Sequence, residues 1–236
     1  FTQSEFNDVD NLILACFSYV NLDGIQEAAS QNGIELKALT EKFLQLHTEK
    51  ELKEDKSFIR FAPFMMLEMA KTERFGQCVI RNYVNEIVAE EAQQFSAVEI
   101  CLSDGTSYIS FRGTDDTIVG WKEDFNLSTG VVPAQERAVE YLRRIAGSLQ
   151  EMVRVGGHSK GGNLAVYGAV MCKEIHPWIL QVYSNDGPGF SREFLELPET
   201  EALLPKVNRI IPTKGCCSTT VFPGKSVEII SPAKNS

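Results

Sequence analysis

The stretch that most constrains this chain is "MVRVGGHSKGGNLAVYGAVMCKEI", residues 152–175. A short apolar run, read as a strand over Met152 to Val155, leads into glycines, and a helical pattern follows. Between them stands Gly157-His158-Ser159-Lys160-Gly161. A serine at a tight strand-to-helix turn has a strained backbone. The positions two residues to either side must therefore lack side chains. Gly162 adds room for the helix to pack closely. Such a turn belongs to a sheet with helices laid over it.

The rest of the chain agrees. "SAVEICLSDGTSYISFRGTDD" holds two runs of strand formers around Ser103-Asp104-Gly105, a hairpin signal. "PAQERAVEYLRRIAGSL" reads as a helix from Pro133 to Gly147. "WILQVYSNDGPGF" and "VNRIIPT" read as further strands. From Ser103 onward, strands alternate with helices, which predicts a mostly parallel α/β sheet with helices on both faces. The first third reads as helical. Val9, Leu12, Ile13, Cys16, Phe17 and Val20 recur at helical spacing, with Asn7 or Asp8 to cap the start. Ile34, Leu36, Leu39, Phe43 and Leu46 repeat the pattern. "PFMMLEMAKTERFG" opens on Pro63 and stops near Gly76, and Met65, Met66 and Met69 read as core filler. One domain over 1–236 is expected, with a helical N-terminal region at 1–76, a core at 77–212 and an unplaced tail at 213–236.

The 236 residues carry a net charge of −9, which argues against non-specific binding to nucleic acid or to anionic membranes. No apolar run approaches the roughly 20 residues of a transmembrane helix. The start shows no signal peptide, and because it is not Met, upstream residues are expected. Six cysteines, Cys16, Cys78, Cys101, Cys172, Cys216 and Cys217, sit mostly among apolar residues, the pattern of reduced core thiols in a cytoplasmic protein. No CxxC occurs, which argues against zinc.

A serine presented by such a turn is a candidate nucleophile, with the following helix offering N–H groups and a positive dipole end to a negative oxygen. Phe111-Arg112-Gly113-Thr114, with Trp121 and Asp124 downstream, resembles the class 3 lipase motif, and Gly157 to Gly162 matches that family's nucleophile elbow. "FNDVDNLILACFSYVNLDGI" and "YSNDGPGF" look closer to an uncharacterised bacterial group of α/β-hydrolase proteins with a domain of unknown function. The resemblance runs from about Phe6 to Pro212. It implies an α/β-hydrolase fold and an esterase or lipase-like reaction on a small ester or acyl substrate, without metal or organic cofactor. It implies an oxyanion hole made by Thr114 and Lys160 amides, where each donor contributes roughly 3 kcal/mol at the barrier. Arg112 and Asp124 then brace the loop. Residues Asp115 to Asp124 fall where those lipases carry a lid. Here that segment is acidic, with Ile118, Val119 and Trp121 its only large apolar residues, which argues against activity at an oil interface.

Asp186 is the only aspartate after Ser159. It ends an apolar strand, at the carboxyl edge where catalytic side chains gather, and fits the order serine, acid, histidine. Its other reading is a turn residue in Asn-Asp-Gly-Pro. In class 3 lipases the acid follows a later strand, near "IIPTKGCC" in this chain, where no carboxylate occurs.

The base is missing from this pattern. The histidines are His47, His158 and His176. His158 reads as a residue that packs the turn. His176 precedes the strand that ends at Asp186, which puts it a strand length away, roughly 20 Å. His47 lies in the N-terminal helices. Three alternatives stay open: the histidine belongs to a native segment absent from this chain, Lys160 or another group is the base, or the fold binds or regulates without hydrolysis.

Overall fold

The computed structural model describes all residues except 56, 58, 89–92, 115–131, 213–227 and 231–236. Among the described residues, eight strands form one sheet in sequence order: β1 (Ile34–Glu35), β2 (Val79–Val88), β3 (Gln93–Cys101), β4 (Ser107–Phe111), β5 (Val153–His158), β6 (Ile179–Asn185), β7 (Val207–Pro212) and β8 (Glu228–Ile230). β1 to β4 pair antiparallel, and the four pairings from β4 to β8 are parallel. The α/β-hydrolase fold expected from the sequence is the one observed, with an antiparallel flank on its amino-terminal side. The Asp-Gly hairpin joins β3 to β4: Gly105 has φ 78°, and Leu102 donates to the Thr106 carbonyl at 2.8 Å. The tail left unplaced by its pattern contributes β8, paired in parallel with β7 through Ile210↔Glu228 and Ile211↔Ile229.

The helices are α1 (Asp8–Phe17), α2 (Gln26–Ala29), α3 (Leu36–Leu46), α4 (Glu49–Glu54), α5 (Phe61–Lys71), α6 (Pro133–Ala146), α7 (Lys160–Met171), α8 (Arg192–Leu195) and α9 (Pro198–Leu203). Side chains alternate across a strand, so each strand feeds two cores. On β4, Ile109 and Phe111 face α6 and α7, joining Phe95, Leu142, Val153, Val155, Leu164 and Val182. Tyr108 faces the other way and joins Phe17, Leu36, Leu39, Met66 and Ile80. The N-terminal helices thus cover one face of the sheet and α6 and α7 the other.

Helix α1 is rotated from the face its apolar spacing predicts. Val9 is 63% exposed, while Asp10 and Asn11 are buried. The reason is that both polar side chains find partners inside. Asp10 pairs with Arg74, and Asn11 bonds Asn185 and Tyr108. A buried polar group with a complete set of partners competes well with a valine for the inward position. Asn7 caps the helix, accepting from the amides of Val9 and Asp10, while the Asp10 carboxylate accepts from Asn7.

Candidate active site

Strand β5 ends at His158 and α7 begins at Lys160, so Ser159 alone makes the turn. Its backbone sits at φ 56°, ψ −129°, a region that L-residues avoid. The glycines around it are sterically required. A Cβ on Gly161 would overlap the Phe111 carbonyl oxygen, and one on Gly157 would come within 2.5 Å of the same atom. Two hydrogen bonds fix the turn: the Ser159 amide donates to the Asn185 carbonyl at 2.9 Å, and Gly162 donates back to the Ser159 carbonyl at 2.9 Å.

Below the turn lies a buried polar network. Asn11 donates to Asn185 Oδ1 at 2.8 Å, and Asn185 donates to Asn11 Oδ1 at 3.2 Å and to the Gly157 carbonyl at 3.1 Å. The Tyr108 hydroxyl donates to Asn11 Oδ1 at 2.7 Å, and Ser110 donates to the Leu14 carbonyl at 2.9 Å. On the other side, Asn163 accepts from Gln135 at 2.8 Å and donates to the carbonyls of Pro188 and Gly189. Helix α1 and the loop after β6 are thereby locked to the turn.

Asp186 follows β6 directly. Since His158 pairs with Asn185 in the β5–β6 register, Ser159 and Asp186 are the first residues beyond the ends of adjacent parallel strands. Asp186 also has positive φ, 51°. Its amide donates to the Ile210 carbonyl, while its Oδ1 is buried and has no hydrogen-bond partner. Burial raises the Asp186 carboxyl above its ordinary range, and the charges of His158 and Arg209 partly oppose this.

The end of β4 comes alongside. Gly113 lies against the elbow, since a Cβ there would stand 2.6 Å from the His158 carbonyl oxygen. Thr114, next in sequence, is buried. Asp124, Trp121 and the lid segment fall outside the described residues.

None of the three histidines bonds Ser159. The His158 ring turns away to Tyr19, whose hydroxyl stands 3.0 Å from Nδ1. Burial lowers the His158 pKa, and Asp186 works in the other direction. His176 lies in the short 3-10 turn before β6, with Nε2 at 2.9 Å from the Ala169 carbonyl. His47 caps the end of α3, and its ring lies tilted against Phe43 with centroids 4.5 Å apart. Lys160 is no candidate base either. Its side chain is buried, and Nζ donates to the Gln94 carbonyl on β3 at 3.0 Å.

Far from the elbow, at the amino ends of β4 and β5, Glu99, Cys101 and Glu151 bring ligand-type atoms within 4.8 Å of one another. Arg81 already stands between the carboxylates, at 2.9 Å from Glu99 and 2.5 Å from Glu151. A guanidinium there takes the place that a cation would occupy. Nothing in "VEIC" marks this cluster, since its pattern is that of an ordinary strand.

The Mbeg1-like family model matches residues 69–235. The chain belongs to the Mbeg1-like family. The match begins within α5 and takes in the elbow, Gly113-Thr114 and Asp186, while Asn11 and Tyr19 lie outside it. No curated protein matches the chain. Among solved structures, the crystal structure of M37 lipase matches with a TM-score of 0.54 at 16% identity, over 89% of this chain and 67% of that one. The lipase from Rhizopus microsporus var. chinensis matches with a TM-score of 0.44 at 14% identity, over 63% of this chain and 56% of that one. A Rhizomucor miehei lipase propeptide complex gives 0.42 at 18% identity, over 57% and 49%. This chain spans about half the length of the latter two lipases. Among the described residues, no helix is long and apolar enough to cross a membrane.

Proposed function

We propose that this member of the Mbeg1-like family is a serine-dependent acyl hydrolase acting on a small ester. The observation that carries the reading is Ser159, the one residue between a parallel strand and a helix, held at φ 56° by glycines that nothing larger can replace. Backbone strain of this kind costs about 1–3 kcal/mol and persists where the surroundings over-determine it. In the proposed reaction, Ser159 Oγ attacks the ester carbonyl and passes its proton to an imidazole that the described residues do not supply; the alcohol departs carrying that proton, and water then hydrolyses the acyl-serine, releasing the acid and restoring the Ser159 hydroxyl. The amides of Lys160 and Thr114 receive the oxyanion, helped by the positive end of α7. Asp186 keeps a buried carboxylate oxygen open for an imidazole N–H beside the serine.

One observation favours a second reading, a fold that binds an acyl ligand without turning it over. Ser159 Oγ meets no base among the described residues, as the partners of His158, His176 and Lys160 show. Labelling with a fluorophosphonate separates the two readings. Labelling of the folded native protein that disappears in Ser159→Ala supports the hydrolase. A folded native protein that stays unlabelled supports the binding protein.

A further inference from the structure

The buried residue Tyr19 lies just past the end of α1, outside the stretch matched by the family model. Its hydroxyl stands 3.0 Å from His158 Nδ1 and 3.5 Å from the His158 carbonyl oxygen. The same hydroxyl fills the space where a Cβ on Gly113 would go, and the Tyr19 ring carbon behind it is 3.2 Å from that point. One oxygen atom therefore touches two segments that are remote in sequence. Gly113 immediately precedes Thr114, and His158 is two residues before Lys160. These are the two segments that bear the proposed oxyanion amides.

The position of that hydroxyl is itself fixed. Helix α1 is pinned by Asn11 to β6, by Tyr108 to Asn11, and by Ser110 to the Leu14 carbonyl. Tyr19 follows in a tight turn, its amide donating to the Cys16 carbonyl at 3.1 Å. A side chain mounted on such a frame holds its tip to within a fraction of an ångström, the tolerance that oxyanion donors require.

We propose that Tyr19 is a positioning residue that sets the spacing between the Thr114 and Lys160 amides, making the N-terminal helix part of the catalytic apparatus. The assignment rests on the hydrolase reading above. Gly113 is glycine, on this view, because the tyrosine hydroxyl must pass through the place of its side chain.

The test is Tyr19→Phe, which removes one oxygen and leaves the ring. Wild type and variant are compared in thermal midpoint, in the rate of fluorophosphonate labelling, and in kcat and KM for p-nitrophenyl butyrate. A misplacement well under 1 Å predicts a drop of about tenfold in labelling rate and in kcat. KM and the thermal midpoint should stay close to wild type. A loss confined to KM, or a loss of activity that only follows a lowered thermal midpoint, overturns the positioning role. Equal rates in the two proteins overturn it as well, while leaving Ser159 as nucleophile. A folded wild type that neither labels nor hydrolyses overturns the hydrolase reading and this assignment together.

Discussion

The amide of Ser159 donates to the carbonyl of Asn185, so the turn bearing the candidate nucleophile is tied to the residue just before Asp186. Two of the three non-glycine residues with positive φ among the described residues are thereby neighbours at one edge of the sheet. Strain concentrated at one place is stability withheld from the fold, and it can be measured.

Ser159→Gly releases the backbone strain, because glycine adopts φ 56° freely. The variant should gain about 1 kcal/mol in unfolding free energy. Urea denaturation reads the gain, and fluorophosphonate labelling should vanish. A variant less stable than wild type would show that the turn is unstrained.

Gly161→Ala has no room for its methyl group, which would overlap the Phe111 carbonyl oxygen at the end of β4. Backbone on both sides cannot yield cheaply. A loss of about 3 kcal/mol is expected. An alanine variant with an unchanged urea midpoint would contradict the close approach of β4 to the elbow.

Asp186→Asn removes a charge whose Oδ1 is buried without a partner. Burial raises the folded carboxyl pKa above its ordinary 3.8, so the native state holds the proton more tightly than the unfolded chain. Stability contributed by this group therefore falls as pH rises from 3.8 through the raised value. At pH 7 the asparagine variant should melt at or above the wild-type temperature, while its labelling rate falls. A lower melting temperature at pH 7 would mean that the carboxylate is paired and stabilising.

His158 has the opposite sign. Burial lowers its folded pKa below the ordinary 6.5, so the unfolded chain takes up the proton first. Its contribution is complete above pH 6.5 and is lost as pH falls below it. Urea midpoints of wild type and His158→Gln, compared from pH 8 to pH 5, should converge toward acid pH. A difference independent of pH would place the imidazole in water.

The parallel half of the sheet was legible because its strands are apolar runs ending in turn residues, and because a serine between glycines admits few geometries. The antiparallel flank was harder to see. β1 has only two residues, and β2 is broken by Asn82, whose φ of 54° coincides with a shift in register between Arg81 and Val84. A pattern of period two does not survive such a bulge. Ser159, Gly157 and Gly161 stood out from spacing alone. Thr114 and Lys160 came only through resemblance, since an amide donor leaves no mark on residue type. Tyr19 left a faint one. Gly113 had no turn to explain it, and a glycine without a turn signals something close by, here a hydroxyl delivered from 94 positions upstream. Asn11 left no mark in the apolar pattern, because its partners lie 97 and 174 positions away.

That last distance governs how the chain can assemble. Asn11 leaves the ribosome 174 residues before its partner Asn185. Until then the helix must carry its amide unpaired or in water, with Leu14 and Phe17 lacking the sheet face they are built to cover. Contacts of such long sequence separation close slowly. Newly made molecules should therefore pass through a period in which the N-terminal helix is the surface most in need of a chaperone, and the elbow should take its strained shape only when that helix docks.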